Sequence, residues 1–146
     1  MPVFIDTEFT RFKGDLISIA LVADDGDELY CVRRFDMAGI DPWVVDNVLP
    51  VLNQKPESDD SIKSKLVAFL NRQREQPIYA DWPEDLSHLL NLLVEPQGYQ
   101  YDVGELDLRL IRGLDTVPAV PHNALHDARA LRDAFYGEHD IYGAAV

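Results

Sequence analysis

Two turns organise the first 35 residues. Asp25-Gly26 separates the apolar run 16–24 (Leu16, Ile17, Ile19, Ala20, Leu21, Val22) from a second run at 28–35. It is a hairpin signal, because its glycine accepts the positive φ that tight hairpins demand. Gly14-Asp15 separates the first of these runs from an earlier one at 2–8. Three consecutive antiparallel strands are therefore expected, and they commit the chain to a sheet that begins as a meander.

The rest alternates helical and strand-like spacing. A short helical patch follows Pro42, and Gln54 to Asp60 read as a polar loop. Ser61 is positioned to cap a helix carrying Ile62, Leu66, Phe69 and Leu70 at helical intervals. Ile78, Tyr79 and Ala80 form a short strand. Trp82-Pro83 opens a helix with proline at its first position and a stripe of Leu86, Leu89, Leu90 and Leu93. A strand is expected at Tyr99–Val103, a short helix at Glu105–Ile111 ending near Gly113, a proline-bearing loop at Thr116–Pro121, and a last helix from about Ala124 to Tyr136. Strands then helices in this order predict an α/β sandwich with a mixed central sheet, the layout of the ribonuclease H-like fold.

With 146 residues, 47% of them hydrophobic, the expectation is one domain spanning 1–146. No run approaches the roughly 18 apolar residues of a membrane span, and the first strand begins close to Met1, so neither an anchor nor a signal peptide is expected. A lone Cys31 suits a reducing compartment, and a cytoplasmic location follows. Twenty-six acidic against thirteen basic residues leave a net charge of -13, the wrong sign for gripping nucleic acid through a general field. An enzyme that handles a few nucleotides is still allowed, because cations in a carboxylate pocket reverse the local sign. Arg11 with Lys13, Arg33 with Arg34, and Arg109 with Arg112 are the basic clusters available for that purpose, although solvated surface charge is the commoner explanation of such pairs.

Four acids stand out by position. Asp6 and Glu8 close the first strand and, with a period of two, point to one side while Thr7 points away. Two carboxylates forced together repel, and a hard divalent cation relieves them. Asp85 lies next to Leu86 and four residues before Leu89, at the edge of a stripe that should be buried. Asp127 precedes Leu131 by four and Phe135 by eight, whereas His126 groups with Ala130 and Asp133 on the outer face. An ionised carboxylate in such places is costly unless paired or metal-bound. First-turn acids also serve as ordinary caps, and Asp81, ahead of Trp82-Pro83, reads as a capping or turn residue that rivals Asp85. Given this composition, D-x-E arises by chance roughly once and H-x-A-x-x-D roughly 0.04 times, so His122 to Asp127 carries most of the information.

In this order Asp6, Glu8, Asp85, His122 and Asp127 resemble the DEDDh branch of the DEDD 3′-to-5′ exonucleases. The motifs read F-I-D-T-E-F, A-D-W-P-E-D-L and H-N-A-L-H-D-A-R-A-L. The likeness extends over nearly the whole chain. The middle motif departs from the H-N-x-x-x-D form of many members, with Ala80-Asp81 in place of His-Asn. The compact D-T-E-F start looks most like the small bacterial and phage exoribonucleases of the branch, with ribonuclease T and oligoribonuclease as larger relatives. The resemblance implies a two-metal hydrolysis with magnesium or manganese. Asp6 would bridge both ions, Glu8 and Asp127 complete one site, Asp85 hold the other, and His122 take the proton from water. It implies single-stranded substrate cut to 5′-mononucleotides, RNA in preference to DNA, a homodimer, and no membrane partner. Phe9, Phe12 and Trp82 are expected to stack on bases, with Thr7 and Asn123 as further substrate contacts.

Two other functions compete. Asp6-Thr7-Glu8-Phe9-Thr10 is similar to the D-x-D-x-T start of haloacid-dehalogenase-like phosphatases, but glutamate replaces the second aspartate and the His122–Asp127 pair is left without a role. A catalytically idle ribonuclease H-like binding module is the other. His88 and His139 carry no signal above that of an ordinary histidine.

Overall fold

A computed structural model describes residues 1–143, with side chains through 137; the His139 side chain and residues 144–146 lie outside it. The elements are β1 (Val3–Phe9), β2 (Leu16–Ala23), β3 (Glu28–Arg33), α1 (Pro42–Asn47), β4 (Pro56–Glu57), α2 (Asp59–Arg72), β5 (Pro77–Ala80), α3 (Pro83–Leu92), β6 (Asp107–Leu110) and α4 (Ala124–Gly143). They form a mixed six-stranded sheet in the order β4-β3-β2-β1-β5-β6, flanked by helices. β1, β2 and β3 are antiparallel, as the turns predict, while β5, β6 and β4 join in parallel. The β2–β3 turn closes through the Ala23 amide on Asp27 O at 2.9 Å, with Gly26 at φ 92°. Among the described residues no helix is long and apolar enough to cross a membrane.

The two faces of β1 divide the labour. Val3 and Ile5 pack with Ile62, Leu66, Phe69 and Leu89 of α2 and α3, in the larger of the apolar clusters. Phe4, on the other face, meets Phe135 of α4 at 5.3 Å between ring centroids. α4 comes close to the sheet because Ala124 and Ala128, one turn apart and fully buried, lie against Ala20 and Val22. Larger residues would hold the helix off and carry its first-turn acid away from β1.

Several local expectations give way. Ser58, not Ser61, caps α2, accepting from the Ser61 amide at 3.2 Å, while the Ser61 hydroxyl donates to Glu57. The supposed polar loop before it contains β4. Glu105–Ile111 is not a helix: Leu106, Leu108 and Leu110 alternate with polar residues, which is strand spacing, and 107–110 is β6 beside β5. Tyr99–Val103 makes only a single bridge, Gln100 with Val94. Leu90 is 45% exposed, and Leu92 takes its place on the buried stripe of α3. Ala130, assigned to the outer face of α4, is buried, although Asp133 does face solvent. α4 continues past Tyr136 to Gly143.

Candidate metal centre

The pairing of β1 with β5 stops at Phe4↔Tyr79, so the strand beyond it offers backbone donors with no neighbouring strand to accept them. Asp85 takes one. Its Oδ1 accepts from the Thr7 amide at 3.1 Å and from the Thr7 hydroxyl at 2.6 Å. Proline at the first position of α3 and the Asp85 amide bond to Trp82 O (3.2 Å) set the helix start that aims this side chain at β1. Asp85 is 1% exposed.

Around that tie the carboxylates assemble. Asp6, Asp81 and Asp85 each bring an oxygen to within 4.8 Å of the others, and so do Asp6, Glu8 and Asp127. Asp6 belongs to both triads. All four acids singled out by position therefore meet, and Asp81 meets them as well. The capping role expected of Asp81 is not observed, because the α3 cap position is Trp82 and no side chain caps it. Asp81 and Asp85 are thus partners rather than rivals.

Burial and mutual repulsion act together on these groups. The Asp6 carboxyl is raised well above its ordinary range, first by burial and then by Asp85, Glu8 and Asp127. Glu8 is pushed up to about 9 by burial and by Asp127. Asp85 is raised to about 7 by burial, against the lowering effect of the Thr7 hydroxyl. Burial also raises Asp127, opposed by Glu8 and His122, and Asp81, opposed in part by Arg112. Asp6 Oδ2 and Asp85 Oδ2 are buried and accept no hydrogen bond. Desolvating an ionised oxygen without a partner costs several kcal/mol. Hard oxygen donors, orphaned lone pairs and accumulated negative charge fit divalent magnesium or manganese, and neither triad contains a soft ligand.

His122 stands on the loop before α4, as expected, half-buried at φ 68°. A left-handed backbone in a non-glycine residue costs on the order of 1 kcal/mol, the kind of strain found at functional positions. Its ring lies edge-on to Trp43 at 4.8 Å, and the imidazole is close enough to lower the Asp127 carboxyl. His126 is turned elsewhere, near enough to Glu28 to lower that carboxyl. His88 stacks on Phe9 at 5.4 Å.

Aromatic side chains surround the acids. A cleft of about 300 Å³ is lined by Asp6, Thr7, Glu8, Asp85, Phe9, Phe12 and Trp82. A second, of about 340 Å³, runs from Glu8, Phe9 and Phe12 to Trp43. Phe12 (74%), Trp43 (52%) and Trp82 (37%) are exposed at this rim. Two residues expected to contact substrate also have partners within the fold. The Thr7 side chain is buried and used on Asp85. Asn123 is also buried: its Oδ1 caps α4 by accepting from Leu125 and His126 amides, and its Nδ2 donates to Val51 O at 2.8 Å. Trp43 escapes sequence reasoning because one tryptophan on a six-residue helix has no periodic signal. Arg112, notable in the sequence only as half of a basic pair, donates to Asp81 O and lies 5.2 Å over the Trp82 ring. No family model matches the chain, and no curated protein matches it in sequence.

Proposed function

We propose that the protein is a metal-dependent 3′-to-5′ exonuclease of ribonuclease H-like architecture that cuts single-stranded nucleic acid to 5′-nucleoside monophosphates. The observation that carries this reading is the pair of carboxylate triads joined at Asp6, with His122 beside Asp127. Asp6 would give an oxygen to both of two magnesium or manganese ions. Glu8 and Asp127 would complete one position, Asp85 and Asp81 the other. When bound, the ions neutralise the carboxylates and the charge that develops on the attacking and leaving oxygens.

His122 accepts the proton of the attacking water, and the Asp127 carboxylate stabilises the imidazolium that results. Trp43 limits rotation of the imidazole by closing one side of it. Phe9, Phe12 and Trp82 offer faces on which bases stack without sequence preference, worth roughly 1–3 kcal/mol per base. Thr7 acts through Asp85, and Asn123 through the start of α4. Polarity, the preference for RNA, a homodimeric state and a cytoplasmic location rest on the DEDDh resemblance.

The test is to incubate the protein with labelled single-stranded RNA and DNA of equal sequence and either cation, and to identify products by mass. Stepwise release of 5′-mononucleotides from the 3′ end is expected, faster from RNA. Failure to release a mononucleotide from any single strand with manganese would sink the reading. If such a protein still bound the strands, the idle binding module would replace it.

A further inference from the structure

Lys13, Arg33 and Lys63 line a cavity of about 400 Å³ on the α2 and α3 side of the sheet, away from α4, together with His88 and Asn91. A smaller cleft of about 230 Å³ shares Lys13, His88 and Asn91 with it and reaches Glu84. Glu84 in turn accepts from the Lys13 amide at 2.8 Å and the Trp82 indole at 3.4 Å. Trp82 borders the acid cleft. The Phe9–His88 stack joins the two regions, because Phe9 lines the acid cleft and His88 lines the cavity. A groove thus follows α3 away from the carboxylates. From Asp85 to Asn91 it advances roughly 9 Å, about three nucleotides at stacked spacing.

The charges in this groove run against the rest of the molecule. Seven basic side chains sit in ion pairs, Arg33 among them through Asp59 at 2.7 Å. Among the described residues six sit in none, Lys13 and Lys63 at this cavity and Arg11, Arg34, Lys55 and Arg112 elsewhere. Lys63 donates only to Val94 O at 3.1 Å, which leaves ammonium hydrogens free. The Lys13 backbone is held at φ 61° with its amide bound to Glu84. In a chain with twice as many acids as bases, the cavity lining carries three cations, Lys13, Arg33 and Lys63, against two acids, Asp15 and Asp59, so its balance is locally reversed.

We propose that this groove holds a backbone phosphate of the single strand, upstream of the nucleotide at the carboxylates, with Lys13 and Lys63 as its cations and Asn91 and His88 as neutral donors. The inference rests on the exonuclease reading for its direction along α3. A positive groove next to stacking rings is how proteins hold single strands regardless of sequence. The lysines here would do locally what the overall charge of -13 prevents the surface from doing.

The experiment compares wild type, the double variant K13Q/K63Q and a control, Lys55→Gln, an exposed lysine outside the groove. A dinucleotide and an octanucleotide serve as substrates. The expected result is an octamer KM raised about 10-fold in the double variant, a dinucleotide KM moved less than about twofold, and no change in the control. The slope of log binding constant against log salt, measured by anisotropy of labelled octamer on metal-free protein, should fall by about 0.7, the value for one lost phosphate contact on a single strand. Equal KM changes for both lengths, or an unchanged slope, would overturn the groove while wild-type dinucleotide cleavage left the exonuclease reading standing. If wild type cleaves neither substrate, that reading fails and the anisotropy alone decides. Inorganic phosphate displacing octamer and dinucleotide equally well indicates a site for free anions and also overturns the strand path.

Discussion

The two carboxylate triads share Asp6 and are held in opposite ways. On the α3 side Asp85 is fixed before any cation arrives, since backbone amide and hydroxyl of Thr7 both grip Oδ1 and leave Oδ2 for a ligand. On the α4 side Glu8 and Asp127 are only half-buried, and burial raises both carboxyls, with Asp127 raising Glu8 further. The first arrangement is fixed by hydrogen bonds, whereas the carboxylates of the second, once ionised, repel until a cation replaces their protons. One half of the centre is preorganised, and the other is assembled by what binds to it.

Asp6→Asn tests what the two halves have in common. It keeps the shape and removes the one oxygen donor charge that both triads use. Turnover is expected to fall at least about 10³-fold. The metal-free protein should melt higher, by roughly 3–6 °C, because about 1–2 kcal/mol of repulsion at a buried carboxylate is relieved. Calorimetry in chelator and single-turnover kinetics on a labelled strand measure the two. A lower melting point together with lost turnover would show that the substitution damaged the fold, and the separation of function from stability would fail.

His122→Ala separates the proton acceptor from the cation ligands. A loss of about 10²–10⁴-fold in turnover is expected with cation affinity unchanged, because His122 is in neither triad. Affinity is measured by the manganese dependence of the melting temperature. A parallel loss of affinity would place His122 among the ligands and merge the two roles.

A change of pH probes the same contrast without any substitution. Carboxyls raised in the folded state, Glu8 to about 9 and Asp85 to about 7, bind protons that the unfolded chain has already released. Metal-free stability should therefore be greatest near pH 5 and decline as pH rises through about 7 and about 9. Below about pH 4 the sign reverses, because Asp27, Glu28 and Asp59, lowered chiefly by hydrogen bonds from Arg72, Arg129 and Arg33, lose their partners as they protonate. Added magnesium or manganese should recover several degrees at about pH 8.5 and little at about pH 5, since protons occupy the α4 half at the lower value. A flat metal-free profile between about pH 5 and 9 would contradict the raised Glu8 and Asp85 carboxyls.

What could be read beforehand follows the same divide. Asp127 is legible because helical periodicity sets it on the face of Leu131, and Ala124 and Ala128 then bring that face to the sheet. Asp6 and Glu8 are legible from strand alternation. Asp85 shows itself by interrupting an apolar stripe. Asp81 does not, because its place in the centre depends on where β5 ends relative to β1, and no local pattern records that register. β6 misleads for a related reason: five residues of alternating Leu, Asp, Leu, Arg, Leu satisfy a short helix as well as a strand until a neighbour supplies hydrogen bonds. Thr7 and Asn123 lie within the motifs, but no local pattern reveals that the Thr7 hydroxyl grips Asp85 or that Asn123 holds the start of α4.

The Thr7 grip on Asp85 gives the smallest effect and the most specific test of the α3 half. Thr7→Val keeps the volume and the β-branch but removes the hydroxyl that bonds Asp85 at 2.6 Å, leaving the amide at 3.1 Å. With one of two grips gone, Asp85 should sit less firmly. Cation affinity and turnover should each fall roughly 10-fold, the usual range for partners that orient a metal ligand. Its carboxyl should also become harder to ionise, because the hydroxyl is what lowers it, so the loss should be larger at about pH 6 than at about pH 8. Thr7→Ser restores the hydroxyl and should restore affinity. If the valine variant were as active as wild type at both pH values, Asp85 would be held by packing alone, and the contrast between a fixed half and an assembled half would lose its physical basis.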